Sequence, residues 1–234
     1  MSVYAIADLH LSHGVDKPMD IFGPKWERHT EKLEKNWRET VRTEDTVILA
    51  GDLSWGLGMD EAEEDLLFVE RLPGKKILLK GNHDLWWGTM NKLREWKERL
   101  GLETVSFLFN NAFVAEDVVV CGTRGWLLEN MPSDQDEKVM LREAGRLARS
   151  VAEGRKLLDG HPEREMFLFL HYPPAYGNQR SQPILDVIRE TPAKQIFYGH
   201  MHNADPSRIV PQIAGMPSRL IAADWLQFKP LKIR

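Results

Sequence analysis

Three short aliphatic runs, VYAIA (residues 3–7), TVILA (46–50) and KKILLK (75–80), alternate with stretches of helical periodicity. This alternation most constrains the fold. Apolar runs without polar interruption read as strands covered on both faces. Between the first two, Trp26, Leu33, Trp37 and Val41 recur at roughly helical spacing, predicting a helix over 26–41. An acidic helix is expected over 60–72 and another helix over 89–100. Strand–helix–strand–helix–strand order implies parallel strands joined by crossover helices.

The second half is less regular. Short strands are expected at 104–109, 112–115 and 118–121, with the turn signal Asn110-Asn111 between the first two. A long helix spans 136–158. Strands at 166–170 and 195–198 flank a helix at 183–190, and the tail carries strands near 208–213, 219–223 and 231–233. Hairpin-like strands after parallel ones predict mixed sheets, in a layered α/β domain with two sheets inside and helices outside. No low-complexity segment or Pro/Gly/Ser-rich linker divides the chain, so one domain over 1–234 is expected.

The chemistry sits where the strands stop. The first run ends in Asp8-Leu9-His10, the second in Gly51-Asp52 and the third in Gly81-Asn82-His83-Asp84. MFLFL (166–170) ends in His171, and QIFY (195–198) in Gly199-His200-Met201-His202. In open α/β sheets, ligands bind beyond the carboxyl ends of the strands. Any one of these motifs alone reads as a cap, a turn or a loop histidine. Together they hold five of the eight histidines, a clustering that independent placement would rarely produce. In extended chain, residues i and i+2 point the same way, so Asp8 with His10, and His200 with His202, can face one site. Carboxylate, amide oxygen and imidazole suit first-row divalent metals. The set is too large for one tetrahedral ion, but fills two sites if one carboxylate bridges them.

This ordered set resembles the calcineurin-like metallophosphoesterase superfamily, and its motifs span residues 8 to 202. The resemblance implies a four-layer αββα sandwich with two mixed sheets and the metal site at the strand C-terminal ends. It implies Asp8, His10, Asp52 and His202 around a first metal and Asp52, Asn82, His171 and His200 around a second, with Asp52 bridging. A metal-bound hydroxide would attack phosphorus. His83 would contact the phosphate and protonate the leaving oxygen, and Asp84 would orient His83. Manganese, iron and zinc all suit the ligands. Protein Ser/Thr phosphatases of the superfamily carry Gly-Asp-x-Val-Asp-Arg-Gly and Gly-Asn-His-Glu. Here the chain reads GDLSWGLG and Gly-Asn-His-Asp, which argues against that subgroup.

Around the motifs, Trp86 and Trp87 are candidates for an aromatic rim, Arg124 for a phosphate fork, and His13 for a substrate contact. Without an arginine in the second motif, a small phosphodiester or nucleotide is favoured over a phosphomonoester. A non-catalytic scaffold is the rival reading, and the complete ligand set speaks against it. A net charge of −4 leaves no broad footprint for nucleic acid or anionic membrane. The single cysteine, Cys121, cannot form an intramolecular disulfide and reads as a small buried hydrophobe. No apolar run approaches the ~20 residues needed to span a bilayer, and MSVYAIADLH lacks a signal-peptide pattern. The expected location is the cytoplasm, with a small-molecule phosphoester as partner and no protein partner implied.

Overall fold

The aliphatic runs become strands with no exposed face: all four residues of β1 (Val3–Ile6) and all five of β2 (Thr46–Ala50) are buried. The computed structural model describes residues 1–127 and 134–234. Helix α1 (His29–Thr40) joins those strands, and α2 (Met59–Arg71), β3 (Lys75–Leu79), α3 (Met90–Leu100) and β4 (Val105–Leu108) continue the alternation. Then come β5 (Phe113–Ala115), β6 (Val118–Thr123), α4 (Asp134–Leu158) and β7 (Glu165–Leu170). A small hairpin follows, β8 (Ala175–Tyr176) with β9 (Gln179–Arg180), and leads to α5 (Gln182–Arg189) and β10 (Ala193–Tyr198). The tail holds β11 (Gln212–Ile213), β12 (Met216–Leu220) and β13 (Leu231–Lys232).

The strands form two large sheets, in the orders β13-β1-β2-β3-β4 and β11-β12-β10-β7-β6-β5. Each is parallel in its interior and closed by antiparallel strands: β13 on the first sheet, β11 and β5 on the second. Alternation along each strand explains why no polar face survives. Ile48 and Ala50 pack into the core between the sheets, with Phe167, Phe169 and Phe197 opposite. Val47 and Leu49 point the other way, against Leu33 and Trp37 of α1 and Leu66 and Val69 of α2. On the second sheet Val118 and Val120 face inward, while Val119 and Cys121 meet Leu147 and Val151 of α4. Each fully buried aliphatic side chain is worth ~1.5–3 kcal/mol relative to exposure, so a strand that feeds two cores keeps polar residues to its ends, as with Thr46 of β2 and Lys75 and Lys76 of β3. The expected four-layer αββα sandwich results. Burial pushes the Cys121 thiol up to about 12, in keeping with its reading as a hydrophobe.

Three elements differ from the sequence reading by more than two residues at a boundary. Helix α1 starts at His29 because Arg28 adopts a left-handed backbone (φ 50°). The preceding Met19–Phe22 and Pro24–Trp26 are short 3-10 turns separated by Gly23. The tail run near 208–213 keeps only Gln212–Ile213 as strand, since the 3-10 turn Pro206–Arg208 takes its first residue and Pro211, just before the strand, cannot donate to a ladder. The run near 219–223 begins earlier as β12, then crosses to the first sheet: Ala7 N–H donates to the Ile221 carbonyl (2.9 Å) and Ala223 N–H to that of Ala7 (2.9 Å). Among the described residues no helix is long and apolar enough to cross a membrane.

Candidate metal centre

Strand register brings the motifs to one edge. Ile6 lies opposite Leu49, Ala50 opposite Leu79, and Leu170 opposite Tyr198, so each polar motif leaves its strand at a similar level. The motif residues are not extended, however. Asp8 (φ 62°), His10 (45°), Asp52 (51°) and His200 (69°) all take left-handed backbones, which cost non-glycine residues ~1–3 kcal/mol each. The shared facing of Asp8 and His10 therefore comes from a turn and not from strand alternation. Hydrogen bonds hold the turns: Asp8 N–H to Gly51 O (2.9 Å), His10 N–H to Asp52 O (3.0 Å), and His200 N–H to both carboxylate oxygens of Asp8 (3.0 and 2.9 Å). Two glycines make room at the centre. A Cβ on Gly51 (φ 93°) would lie 2.6 Å from His171 Nδ1, and one on Gly81 would lie 2.1 Å from Asp52 Oδ1.

Two donor clusters result. Asp8, His10, Asp52 and His202 each offer a ligand atom within 4.8 Å of the others, and Asp52, His171 and His200 do the same. Asp52 is common to both. Asn82 belongs beside the second: its Oδ1 is 2.7 Å from His171 Nε2 and 3.0 Å from His200 Nδ1. All seven candidate ligands read from the sequence thus stand together.

The donor atoms fit cations. His10 Nε2 and His202 Nε2 point at one another across 2.8 Å. Asp52 Oδ2 is buried without a hydrogen-bond partner, 3.3 Å from His171 Nε2 and 3.7 Å from His10 Nε2. The charges are equally unbalanced. Burial, helped by the neighbouring Asp52 charge and opposed by His202 and His171, pushes the Asp8 carboxyl up to about 7. Burial also raises Asp52, but attraction from His171, His10 and His83 outweighs it and holds this carboxyl below the usual range. Burial lowers His171, and Asp52 then Asp8 more than reverse that, to about 9. His10 is lowered by burial. Protons are thus shared among groups that divalent ions would neutralise directly.

Asp84 departs from the sequence reading. Its buried carboxylate accepts from Asp52 N–H (2.9 Å) and Gly81 N–H (2.7 Å) at Oδ2. Oδ1 accepts from Leu53 N–H (2.9 Å), Ser54 N–H (3.2 Å) and the Trp86 indole (3.0 Å). Those five donors occupy it, so it does not orient the His83 ring; it clamps the turn after β2 to the turn after β3. His83 is fixed instead through its N–H, which donates to Asp52 Oδ1 (2.8 Å), and by the Trp55 ring at 4.3 Å. Burial lowers the His83 imidazole, and attraction to Asp52, not Asp84, opposes this.

The expected rim is also rearranged. Trp86 and Trp87 are 2% and 7% exposed and pack with Trp96 and Phe107 under the turn, so neither can stack a substrate. Hydrophobic burial wins over rim placement because α3 needs an apolar floor. Trp55 lies at the site, stacked on His10 at 4.7 Å. Arg124 pairs with buried Glu143 (3.3 Å) rather than projecting towards the clusters. His13 Nδ1 sits 2.7 Å from Asp65 of α2, outside both clusters.

Sequence reasoning missed Asp224. Its Oδ1 stands 3.5 Å from His202 Nδ1, its Oδ2 accepts from Asn203 N–H (2.8 Å), and both facing atoms are buried without another partner. Carboxylates behind ligating imidazoles fix their tautomer and orientation. The signal was present: LIAA-Asp224 is a sixth apolar run ending in a potential ligand residue, here an acid.

Comparison with known proteins follows the same lines. The family profile described as calcineurin-like phosphoesterase matches residues 1–204. Among curated proteins, the Gene 66 protein of Mycobacterium phage D29 is 37% identical over 84 residues, 36% of this chain and 40% of that one. The Gene 66 protein of Mycobacterium phage L5 is 33% identical over 78 residues, 33% of this chain and 37% of its own length. The matches thus span well under half of those relatives. Among solved structures, phosphopantetheinyl hydrolase (PptH) from Mycobacterium tuberculosis has a TM-score of 0.54 at 16% identity, covering 99% of this chain and 95% of that one. The protein of unknown function AQ665 from Aquifex aeolicus has a TM-score of 0.50 at 16% identity, with the same coverage. These two likenesses concern the fold.

Proposed function

We propose, for a chain that belongs to the calcineurin-like phosphoesterase family, that it is a dinuclear metal-dependent hydrolase of small phosphoesters. The observation that carries this reading is the pair of donor clusters sharing Asp52. Asp8, His10, Asp52 and His202 would hold one ion; Asp52, Asn82, His171 and His200 the other. Manganese, iron and zinc all match these donors. Bound there, the ions would supply a nucleophilic oxygen near neutral pH and neutralise phosphoryl charge.

The chain's own residues do the rest. Asp52 holds the two clusters in register, and its Oδ1 fixes the His83 backbone. His83, half-buried at the edge of the clusters, is the group that would donate a proton to the departing oxygen. Its imidazole is lowered by burial, so the negative charge of the arriving phosphate would favour the protonated form the step needs. A diester suits the site better than a monoester. Arg124, the candidate second fork for a dianion, is committed to Glu143. The nucleotide version of this reading loses its support with the burial of Trp86 and Trp87.

The test is a chelated protein reloaded with each metal and assayed on bis(4-nitrophenyl) phosphate beside 4-nitrophenyl phosphate. Metal-dependent turnover with higher kcat/KM for the diester is expected. A monoester preference sinks the diester assignment alone; metal-independent turnover sinks the dinuclear one.

A further inference from the structure

Beside His83 the surface dips into a pocket of about 230 Å³, walled by Met19, Phe22, Trp26 and Trp55 against the three imidazoles of His10, His83 and His202. We propose that this pocket receives the alcohol portion of the substrate, and that this alcohol is a short alkyl chain or a single unsubstituted ring. The proposal rests on the hydrolase reading for the position of the phosphorus, and on the pocket itself for the chemistry of the alcohol.

Position comes first. His10 and His202 are candidate ligands of one ion, and His83 is the candidate acid, so a phosphoryl group at the clusters directs its leaving oxygen towards this wall. Hydrolysis adds water across the P–O bond. The water oxygen goes to phosphorus, and the departing oxygen takes a proton through His83. The freed alcohol is left in the pocket.

Chemistry follows from the lining. Trp26 is 1% and Met19 is 4% exposed, so the floor is fixed and apolar. The one indole N–H of Trp55 is used, donating to Met19 Sδ at 3.1 Å. Its ring is covered by His10 and by the Lys17 ammonium, 3.5 Å from the ring centroid, so it forms a wall and not a stacking shelf. Among the described residues, the other polar groups of the lining besides the imidazoles are the Asn203 side chain at the rim and the Trp26 indole N–H. A sugar or nucleobase would bring several hydroxyl or amide groups into a space that offers few partners beyond the candidate ligands and acid, which is a ground for rejection. The volume also falls below the ~300–1,000 Å³ of pockets that enclose drug-sized ligands. At the mouth Phe22 is 49% exposed, and Ile21 beside it 71%. Apolar surface of that kind is what an apolar ligand would cover.

The experiment uses O-methyl n-alkylphosphonates from methyl to hexyl, monoanions in which a P–C bond replaces the scissile P–O bond of a diester, titrated calorimetrically into the metal-loaded protein. Affinity should rise about fourfold per added methylene until the pocket is full. An ether analogue of hexyl length should fall back towards the methyl compound, and Phe22→Ser should flatten the series. A flat series, or an ether bound as tightly as the hydrocarbon, overturns the proposal. Turnover of bis(4-nitrophenyl) phosphate by the same preparation separates the two readings. Turnover with a flat series removes the apolar subsite alone. A rising series without turnover keeps the subsite and removes the hydrolase reading. Neither signal removes both.

Discussion

Replacing Asp84 by asparagine tests whether this side chain is a clamp or a catalytic helper. The two carboxylate oxygens divide five donors, with Asp52 N–H and Gly81 N–H on Oδ2 and Leu53 N–H, Ser54 N–H and the Trp86 indole on Oδ1. An amide keeps one acceptor oxygen and turns the other into a donor. Whichever way it is placed, at least two buried N–H groups lose their acceptor and face an NH₂. Hydrogen bonds to charged groups are worth ~1.5–3 kcal/mol each, so the loss is about 3–6 kcal/mol. Set against a total stability of ~5–15 kcal/mol, that is a large fraction. Burial and the Asp52 charge push Asp84 up to about 6, so at pH 7.5 the wild-type group is ionised and the comparison is with a carboxylate. The assay is denaturant unfolding of metal-free protein at pH 7.5, because bound ions would add their own stabilisation. A variant within about 1 kcal/mol of wild type would refute the clamp. A stable variant with depressed kcat would restore the role of orienting His83.

Three further outcomes are expected. His83→Gln should leave metal content unchanged and lower kcat by ~10²–10⁴; the loss should shrink for nitrophenolate, which leaves without a proton, and a loss equal for all leaving groups would make His83 a phosphate-positioning residue. Asp224→Asn, which keeps the contact to Asn203 N–H but removes the charge behind His202, should weaken metal binding by ~10–100-fold in a chelator competition; unchanged affinity would leave Asp224 a purely structural residue. Loading with zinc at pH 7.5 should release protons, since His171, raised to about 9, must lose its proton to ligate. Affinity should therefore climb as pH rises towards 9, and calorimetry in two buffers of different ionisation heat will show whether protons leave.

The layers were legible because the strands that build them are apolar on both faces. A run such as Val47–Ala50 has no polar residue to turn outward, which already implies cover on each side. Boundaries were less legible where backbone conformation, not hydrophobicity, decides them. Trp26 keeps helical spacing with Leu33 and Trp37, yet Arg28 sits left-handed and the helix begins after it. Periodicity reports which side chains are buried, and a buried tryptophan on a 3-10 turn satisfies it as well as one on a helix. Trp86 and Trp87 failed for a related reason. Proximity in sequence to Asn82 and His83 says nothing about direction, and the turn that aims Asn82 at the clusters buries the next aromatics beneath α3.

The convergence of the candidate ligands was legible, but the way in which they are assembled was not. Strand alternation was the wrong reason for Asp8 and His10 to converge, since both lie past the strand in left-handed turns. What the turns have in common is that each is tied to a neighbouring motif. Asp8 is bonded to Gly51 and His200, His10 to Asp52, and Asp52 to Asp84 and His83. Four left-handed residues at ~1–3 kcal/mol each would not persist on isolated loops; they persist because every turn supplies a partner to another. Such a lattice cannot be read from any one motif, because each donor's acceptor lies on a different strand. It also explains why Asp84 matters without reaching the substrate. Removing it frees the backbone N–H of Asp52, the residue both clusters share, so a change one layer behind the candidate ligands should be felt at both candidate metal positions together.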